Sequence, residues 1–249
     1  MKRLILYCLL FISPVLWARS AVELTLNGGY SAFMKSEPEW HPSGFVGYGA
    51  HIGYAYFFNR YIGLGIGVDG YCYNGRYNRI SSETKDMIDS DNEPYSGTFD
   101  YSYRQKKSAW MLKPGISILG EVPLKSLSIY MAIGAQYGIS VSAQERTSYT
   151  VTHTGYYPKW HMTVTDIPEY GFTTTQISQP AEPIRVPYSW IIAARAGVAI
   201  PLKTGWSVLA GVNADYGITG GQPLSVNLEL GVRCTFGLSR HHHCNCYQD

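Results

Sequence analysis

The sequence predicts an all-β protein, an eight-stranded antiparallel up-and-down transmembrane β-barrel with long extracellular loops. Apolar and polar residues alternate with period two over eight segments of about 10 to 15 residues. Short connections alternate with mostly long ones, as they do in membrane barrels. The apolar face is also too bulky to fit inside eight strands, whose interior is just wide enough to be filled by side chains.

The N-terminus has the pattern of a secretory signal peptide. Lys2 and Arg3 precede a short apolar core, and Ala18 and Ser20 fit the −3 and −1 positions of a cleavage site. A buried first helix or a membrane anchor is the alternative. The expected divisions are a cleaved signal peptide, the barrel and a His/Cys-rich periplasmic tail, at residues 1–20, 21–238 and 239–249.

Removal of the signal peptide takes away three of the 20 basic residues and none of the 18 acidic ones. The mature chain is then close to −1 in net charge, so it has no basic footprint for nucleic acid and no nucleic-acid partner is expected. Of the four cysteines that remain, two lie in separate strands and two in the tail, so no disulfide framework is predicted.

The eight alternating segments share an apolar face opposite a face of small and polar residues. In chain order they are 22–33, 45–58, 61–73, 110–120, 127–141, 190–200, 206–218 and 224–236. The last one shows the pattern most plainly, because its even positions from Leu224 to Phe236 are all apolar and its odd positions are polar or Gly. Pro114 interrupts the fourth segment, where its missing N–H should bend the strand or mark a bulge.

Connections of two to six residues join strand pairs at one end, and both chain termini belong to that end. Two long loops, Asn74–Lys107 and Ser142–Pro187, belong to the other. They contain "GTFDYSYR" and "KWHMTVTD", which keep period two, so we expect them to continue the barrel as hairpins above the bilayer. A barrel of ten strands is the alternative, if the second loop contains a hairpin that spans the membrane.

The apolar face is predicted to point toward lipid. A soluble barrel with an apolar cavity is the alternative, but its outer surface would be mostly Gly, Ser, Ala and Asn rather than Lys and Glu. Aromatic residues near the strand ends of the apolar face suit the two membrane–water boundaries. This expected girdle consists of Tyr30, Tyr56, Phe58, Trp110, Tyr137, Trp190, Trp206, Tyr216 and Phe236.

The Gly-rich second and third strands ("GYGAHIGYAY", "IGLGIGVDG") and the final "LELGVRCTF" resemble small bacterial outer-membrane barrels. The resemblance is to the OmpA/OmpX-like and PorT-like family common in Bacteroidetes, and it covers the mature chain to about Leu238. It implies the outer membrane of a Gram-negative bacterium. It also implies a role as anchor, adhesion or host-contact protein, small pore or secretion accessory, and it brings no catalytic motif.

Charged residues on the polar face should lie in the lumen, where buried charges must pair. This lumen charge network comprises Glu23, His51, Asp69, Lys113, Arg195, Asp215, Glu229 and Arg233. Glu23 and Arg233 are expected to form an ion pair between the first and last strands, and Lys113, Arg195 and Glu229 a network at mid-height. The network is interpreted as a structural plug, with a gated proton or ion path as the alternative.

The expected function is that of a structural anchor, or of a surface recognition or adhesion protein. Its partners would be outer-membrane lipids and an extracellular protein or glycan held by the long loops. A narrow pore or transport accessory and a lipid-modifying enzyme are the alternatives. A Ser–His–Asp site near His153 or His161, with Ser148, Thr163 and Asp166 close in sequence, would carry the enzyme. We expect no enzyme and no cofactor, and the sequence leaves the oligomeric state open.

The C-terminal tail contains residue types that bind transition metals. Its candidate ligands are His241, His242, His243, Cys244 and Cys246. Ligands this close in sequence cannot wrap around an ion as spaced pairs do, so an unstructured periplasmic tail is expected and no metal site is predicted.

Overall fold

The alternating segments form a closed barrel in the computed structural model, which describes residues 19–34, 39–165, 167–202, 205–219 and 222–237. The strands are β1 Arg19–Phe33, β2 His41–Phe57, β3 Ile62–Ile88, β4 Pro94–Pro123, β5 Ser128–Tyr157, β6 Met162–Thr165, β7 Thr174–Ser178, β8 Glu182–Pro183, β9 Ser189–Pro201, β10 Trp206–Gly217 and β11 Pro223–Gly237. No helix among these residues is long and apolar enough to cross a membrane.

Eight strands form the ring, in the order β1, β2, β3, β4, β5, β9, β10 and β11, and β11 pairs with β1 to close it. Every pairing is antiparallel between neighbours, which confirms the predicted all-β fold class. The short strands β6, β7 and β8 pair only with the outer part of β5. The segment between β5 and β9 therefore adds no spanning hairpin, and the barrel has eight strands rather than ten.

The register gives the tilt of the strands. Directly paired residues can be followed around the barrel from Glu23 in both directions. The path through β2, β3, β4, β5 and β9 arrives at Gly217 of β10, whereas the path through β11 arrives at Ser207 of the same strand. The offset of ten residues on β10 is the shear of the barrel. With a rise of about 3.3 Å per residue and about 4.8 Å between strands, a shear of this size tilts the strands by about 40°.

Strands β3, β4 and β5 are 27, 30 and 30 residues long, about twice the length of the other five ring strands, which have 12 to 17 residues. β3 and β4 pair from the barrel to a tight turn at Asp89–Glu93, which joins them. β5 pairs with β4 out to Tyr156. The hairpin extension expected from the period-two loops is therefore present, and beyond the barrel rim it forms a sheet of three long strands with the short strands β6, β7 and β8 at its β5 edge.

The pairing of β4 with β5 is interrupted at Lys113 and Pro114, as the missing N–H of Pro114 predicts, and a bulge lies three to four residues away. Pro114 stands opposite Val68 in the β3 pairing. The register between β4 and β5 shifts between Trp110 and Met111, which leaves Val141 as an extra residue in β5. This bulge reverses the alternation of β5 beyond that point.

Candidate functional site

An ion-pair network fills the half of the lumen nearer the short turns. Arg233 Nε donates to Glu23 Oε1 at 2.9 Å and Arg233 Nη1 to Glu121 Oε2 at 3.0 Å. Arg195 donates to both oxygens of Glu229, at 2.9 and 2.5 Å, and reaches Glu23 Oε2 at 3.3 Å. The three carboxylates are at most 4% exposed, so each buried negative charge lies against a guanidinium group.

A second charged cluster is joined to the first through hydrogen bonds of Asn213, Asn227 and Ser225. Lys113 Nζ is 2.5 Å from Asp215 Oδ2 and donates to the Tyr73 hydroxyl at 3.1 Å, while that hydroxyl donates to Asp215 at 2.8 Å. Of the expected network of Lys113, Arg195 and Glu229, the contact between Arg195 and Glu229 is present, but Lys113 pairs with Asp215. Paired rows climb around a sheared barrel, so position along the strand does not give height in the lumen, and Lys113 faces Asp215 instead.

His51 and Asp69 form the third polar group, in neighbouring strands. His51 Nδ1 is 3.2 Å from Asp69 Oδ2, which also accepts a 2.6 Å hydrogen bond from Gln136 Nε2. A cavity of about 40 Å³ lies beside them, and Gly67 and Arg195 contribute to its wall. This volume has room for a few water molecules and not for a continuous aqueous channel.

Aromatic residues close the lumen at the end that bears the long strands. The buried cluster there contains Phe33, Tyr71, Tyr73, Tyr77, Ala109, Met111, Ala143 and Val186. Tyr71 donates to Asn227 Oδ1 at 2.5 Å and Tyr77 to the Phe33 carbonyl at 2.6 Å, so the buried hydroxyls are satisfied. The interior is therefore not uniformly Gly- and Ser-rich as the sequence suggested, and its outer mouth is plugged.

Two further charged residues, Arg19 and Glu121, lie in the lumen and were not predicted from the sequence. Arg19 Nη2 donates to Glu121 Oε2 at 2.5 Å, and its guanidinium lies 4.2 Å from the Phe57 ring centroid. Glu121 follows the fourth alternating segment, 110–120, and its odd number places it on the same face of β4 as Lys113. Cleavage after Ser20 would remove Arg19 and Ser20, the first two residues of β1.

Eight of the nine girdle residues are exposed on the outside of the barrel. Their side chains are 36–53% exposed: Tyr30, Tyr56, Phe58, Trp110, Trp190, Trp206, Tyr216 and Phe236. Tyr137 is half-buried because it packs on Trp190, with ring centroids 5.1 Å apart. Trp206 and Tyr216 mark the two ends of β10. Ten residues at a tilt of about 40° span about 25 Å, the height of the apolar band of membrane barrels.

The extension of β3, β4 and β5 has one face that continues the lumen wall. This face, the tyrosine face, is defined by Tyr101, Tyr103 and Tyr149, with centroids of successive rings 5.9 and 5.6 Å apart. Beyond it, Tyr95, Tyr157, Val164 and Phe172 form a buried tip cluster. The extension therefore has a small core of its own and a defined surface.

Among the described residues, neither His153 nor His161 is hydrogen-bonded to a serine or threonine hydroxyl. His153 stacks on Phe99, with centroids 4.3 Å apart, and its Nδ1 is 3.0 Å from the Gly171 carbonyl oxygen. Ser148 lies on the opposite face of β5, where its hydroxyl donates to the Arg104 carbonyl. His161 Nδ1 is 3.4 Å from the Tyr156 hydroxyl, with Thr163 two residues further along the chain, and Asp166 lies outside the described residues.

The five candidate metal ligands of the tail, His241, His242, His243, Cys244 and Cys246, all lie outside the described residues. Within the described ranges, no three His, Cys, Asp or Glu side chains are grouped to hold a metal ion.

Neither a protein-family model nor a curated protein sequence matches the chain. Solved structures with a similar strand arrangement include Ail of Yersinia pestis (10% identity, TM-score 0.36, 88% of this chain and 99% of that one). The Neisserial surface protein A is another (15%, 0.38, 87% and 97%). A third is the N-terminal β-barrel domain of OprF from Pseudomonas aeruginosa (13%, 0.32, 87% and 97%).

Proposed function

We propose that this protein is a bacterial outer-membrane barrel that anchors a rigid recognition sheet outside the cell. The apolar surface of the barrel supports the membrane location. Leu26, Ile66, Ile133 and Leu228 point outward and are 59–70% exposed. A continuous apolar belt between two girdles of aromatic residues is unfavourable in water and favourable in hydrocarbon. Closure of the barrel also pairs the backbone N–H and C=O groups, as hydrocarbon requires.

The short-turn end is assigned to the periplasm and the extended end to the outside, as in other membrane barrels. From the row of Cys72 and Trp110, β3 and β4 continue for 16 further residues each, to Ile88 and Pro94. That length corresponds to a sheet of about 40 Å above the outer aromatic ring. A cleaved signal peptide is proposed for export, on the N-terminal pattern alone.

The observation that carries the recognition role is the combination of a plugged lumen with this paired extension. The barrel interior is occupied by ion pairs and the aromatic plug, which argues against transport. The extension, by contrast, is ordered by its own tip cluster and presents the tyrosine face. Tyrosine offers a large contact area at low entropic cost, which suits binding of an extracellular protein or glycan.

A truncation that follows the register tests this function. Arg79, Tyr103, Tyr149 and Ile177 occupy one paired row across β3, β4, β5 and β7. Residues 80–102 and 150–176 would each be replaced by Asn-Gly, a two-residue hairpin turn. The shortened protein should still insert and show the heat-modifiable gel shift of a folded barrel.

Binding is then measured on cells of a heterologous Gram-negative host that display either chain. The full chain should adhere to immobilised extracellular-matrix proteins and glycans, and the shortened chain should not. A Tyr101→Ser, Tyr103→Ser, Tyr149→Ser variant keeps the full length of the extension and changes only the tyrosine face. It therefore tests the contribution of that face separately. Equal adhesion by full and shortened chains would refute the recognition role.

A further inference from the structure

Three cations occupy directly opposed positions on the outer face of the extension. Arg76 of β3 pairs with Lys106 of β4, and Lys106 pairs with Arg146 of β5. Arg104 follows two residues beyond Lys106 on the same face. We call Arg76, Lys106 and Arg146 the basic row. Like charges directly opposite on a sheet are destabilising, so this row lowers the stability of the protein alone.

The charges of the basic row are not compensated within the described residues. The carboxylates there that form ion pairs do so with other cations, and none lies within 4 Å of Arg76, Lys106 or Arg146. Arg76 Nε is buried without a hydrogen-bond partner, and its guanidinium lies 5.1 Å from the Phe45 ring centroid. Such an arrangement calls for an anion from outside the chain.

The alternation of the strands turns the basic row toward lipid. Lys106 lies four residues beyond Trp110 on the same face of β4, and Trp110 belongs to the outer aromatic ring. The bulge at Val141 brings Arg146 onto that face as well. Four residues at a tilt of about 40° rise about 10 Å, which places the row at the level of lipid headgroups, just outside the hydrocarbon.

A groove of about 300 Å³ surrounds the row. Its wall includes Phe45, Asn74 and Gln144 in addition to the three cations. Below it, Tyr48 and Trp110 pack edge to face, with centroids 5.5 Å apart, on the lipid-facing surface. The groove therefore combines phosphate-binding cations with an apolar lower border, and it continues into the surface that contacts acyl chains.

We propose that the basic row binds the phosphate groups of an anionic headgroup in the outer leaflet, with a phosphorylated glycolipid as the fitting chemistry. Guanidinium groups bind phosphate oxygens with two parallel hydrogen bonds, and the bound phosphate removes the repulsion along the row. The inference rests on the proposed membrane orientation. Its position at headgroup height, continuous with the lipid surface, favours a lipid over a soluble polyanion.

The test compares two lipid probes in micelles of a neutral detergent, diphosphorylated lipid A and the same lipid after dephosphorylation. The full-length folded barrel should bind the phosphorylated form at least about tenfold more tightly, since each lost charge-assisted hydrogen bond to a phosphate weakens binding by about that factor or more. Arg76→Gln, Lys106→Gln, Arg146→Gln should reduce that preference to less than about twofold. The control removes the same charge elsewhere, with Arg60→Gln, Lys85→Gln and Lys125→Gln, and should keep the preference.

A stability measurement distinguishes loss of the binding site from misfolding of the triple variant. Without lipid, the triple variant should be at least as stable to urea as the wild type, because three opposed charges have been removed. Equal affinity of the wild type for both lipids would overturn the proposal. Competition by heparin or inorganic phosphate at the concentration of the lipid would overturn its assignment to a membrane lipid.

The truncation described above separates this proposal from the recognition role. It removes the sheet beyond the row of Arg79 and Tyr103 and leaves the basic row in place. The shortened protein should therefore keep the lipid preference even if the full chain shows no adhesion.

Discussion

Arg233 donates from Nε to Glu23 Oε1 at 2.9 Å across the pairing of the last strand with the first. The two residues are 210 positions apart in sequence and directly opposite in the sheet. Their ion pair thus lies on the contact that closes the barrel. Arg195 adds a second cation to the same carboxylate, which ties β9 to the closure.

We expect Glu23→Gln to destabilise the barrel by about 3 kcal/mol, because Arg233 and Arg195 then keep only one carboxylate partner each, Glu121 and Glu229, and one buried positive charge is left uncompensated. The urea midpoint of unfolding, read from the heat-modifiable gel shift, measures the loss. Glu39→Gln is the matched control, since Glu39 pairs with Arg79 at an exposed site and should cost less than about 1 kcal/mol. Equal midpoints for the two variants would contradict the assigned role.

The aromatic plug predicts that the wild-type barrel does not conduct ions in a planar bilayer. Tyr71→Ala with Tyr73→Ala removes two large buried rings from the outer mouth and should produce discrete conductance steps. Trp206→Ala with Tyr216→Ala removes aromatic rings from the lipid face and should leave the lumen closed. Steps of similar size in the wild type would show that the lumen is open despite the plug.

Most of the fold follows from alternation, because neighbouring residues of a barrel strand point in opposite directions, one into the lumen and the next to the outside. Leu228 is 70% exposed and Glu229 is 1% exposed, as the period-two pattern of their strand predicts. The same rule extends further than the sequence analysis applied it. Continued from Asp69, it places Tyr71 and Tyr73 in the lumen, where they form the plug.

The partners of the lumen charges could not be predicted in the same way. They depend on the shear, which follows from the pairing register and not from any one strand. Lys113 therefore meets Asp215 rather than Glu229. The basic row escaped prediction for a related reason. The bulge at Val141 changes the parity of β5, so the face of Arg146 is known only once the register shift is known.

Tight backbone packing in the barrel wall predicts a strong effect of a single methyl group. A Cβ at Gly134 would lie 2.1 Å from the Ile116 carbonyl oxygen and 2.9 Å from Ser117 Cα. We expect Gly134→Ala to cost about 1–3 kcal/mol and to slow refolding into detergent. Gly28→Ala is the control, because its Cβ would meet only the Gly47 carbonyl oxygen, at 3.9 Å, and should be tolerated.

Acid should open the tip of the extension. Asp89 accepts hydrogen bonds from the Glu93 and Asp91 amides at 2.8 and 3.0 Å and from the Tyr157 hydroxyl at 3.0 Å. The Glu93 amide is the main cause that lowers the pKa of Asp89, and burial raises the pKa of Tyr157 to about 12. A depressed carboxyl pKa gives stability that is present above the unfolded value of about 3.9 and lost as pH falls through the folded value.

Hydrogen exchange of the Glu93 amide measures that loss. Protection should be constant near neutral pH and should fall below about pH 4, where opening of the turn begins to be coupled to proton uptake by Asp89. Asp89→Asn should lower protection near pH 7 and remove the acid transition at this amide. Asp100→Asn, a matched change on the same hairpin, should preserve it, because neither the turn amides nor Tyr157 bind Asp100. Persistence of the transition in Asp89→Asn would assign it to another group.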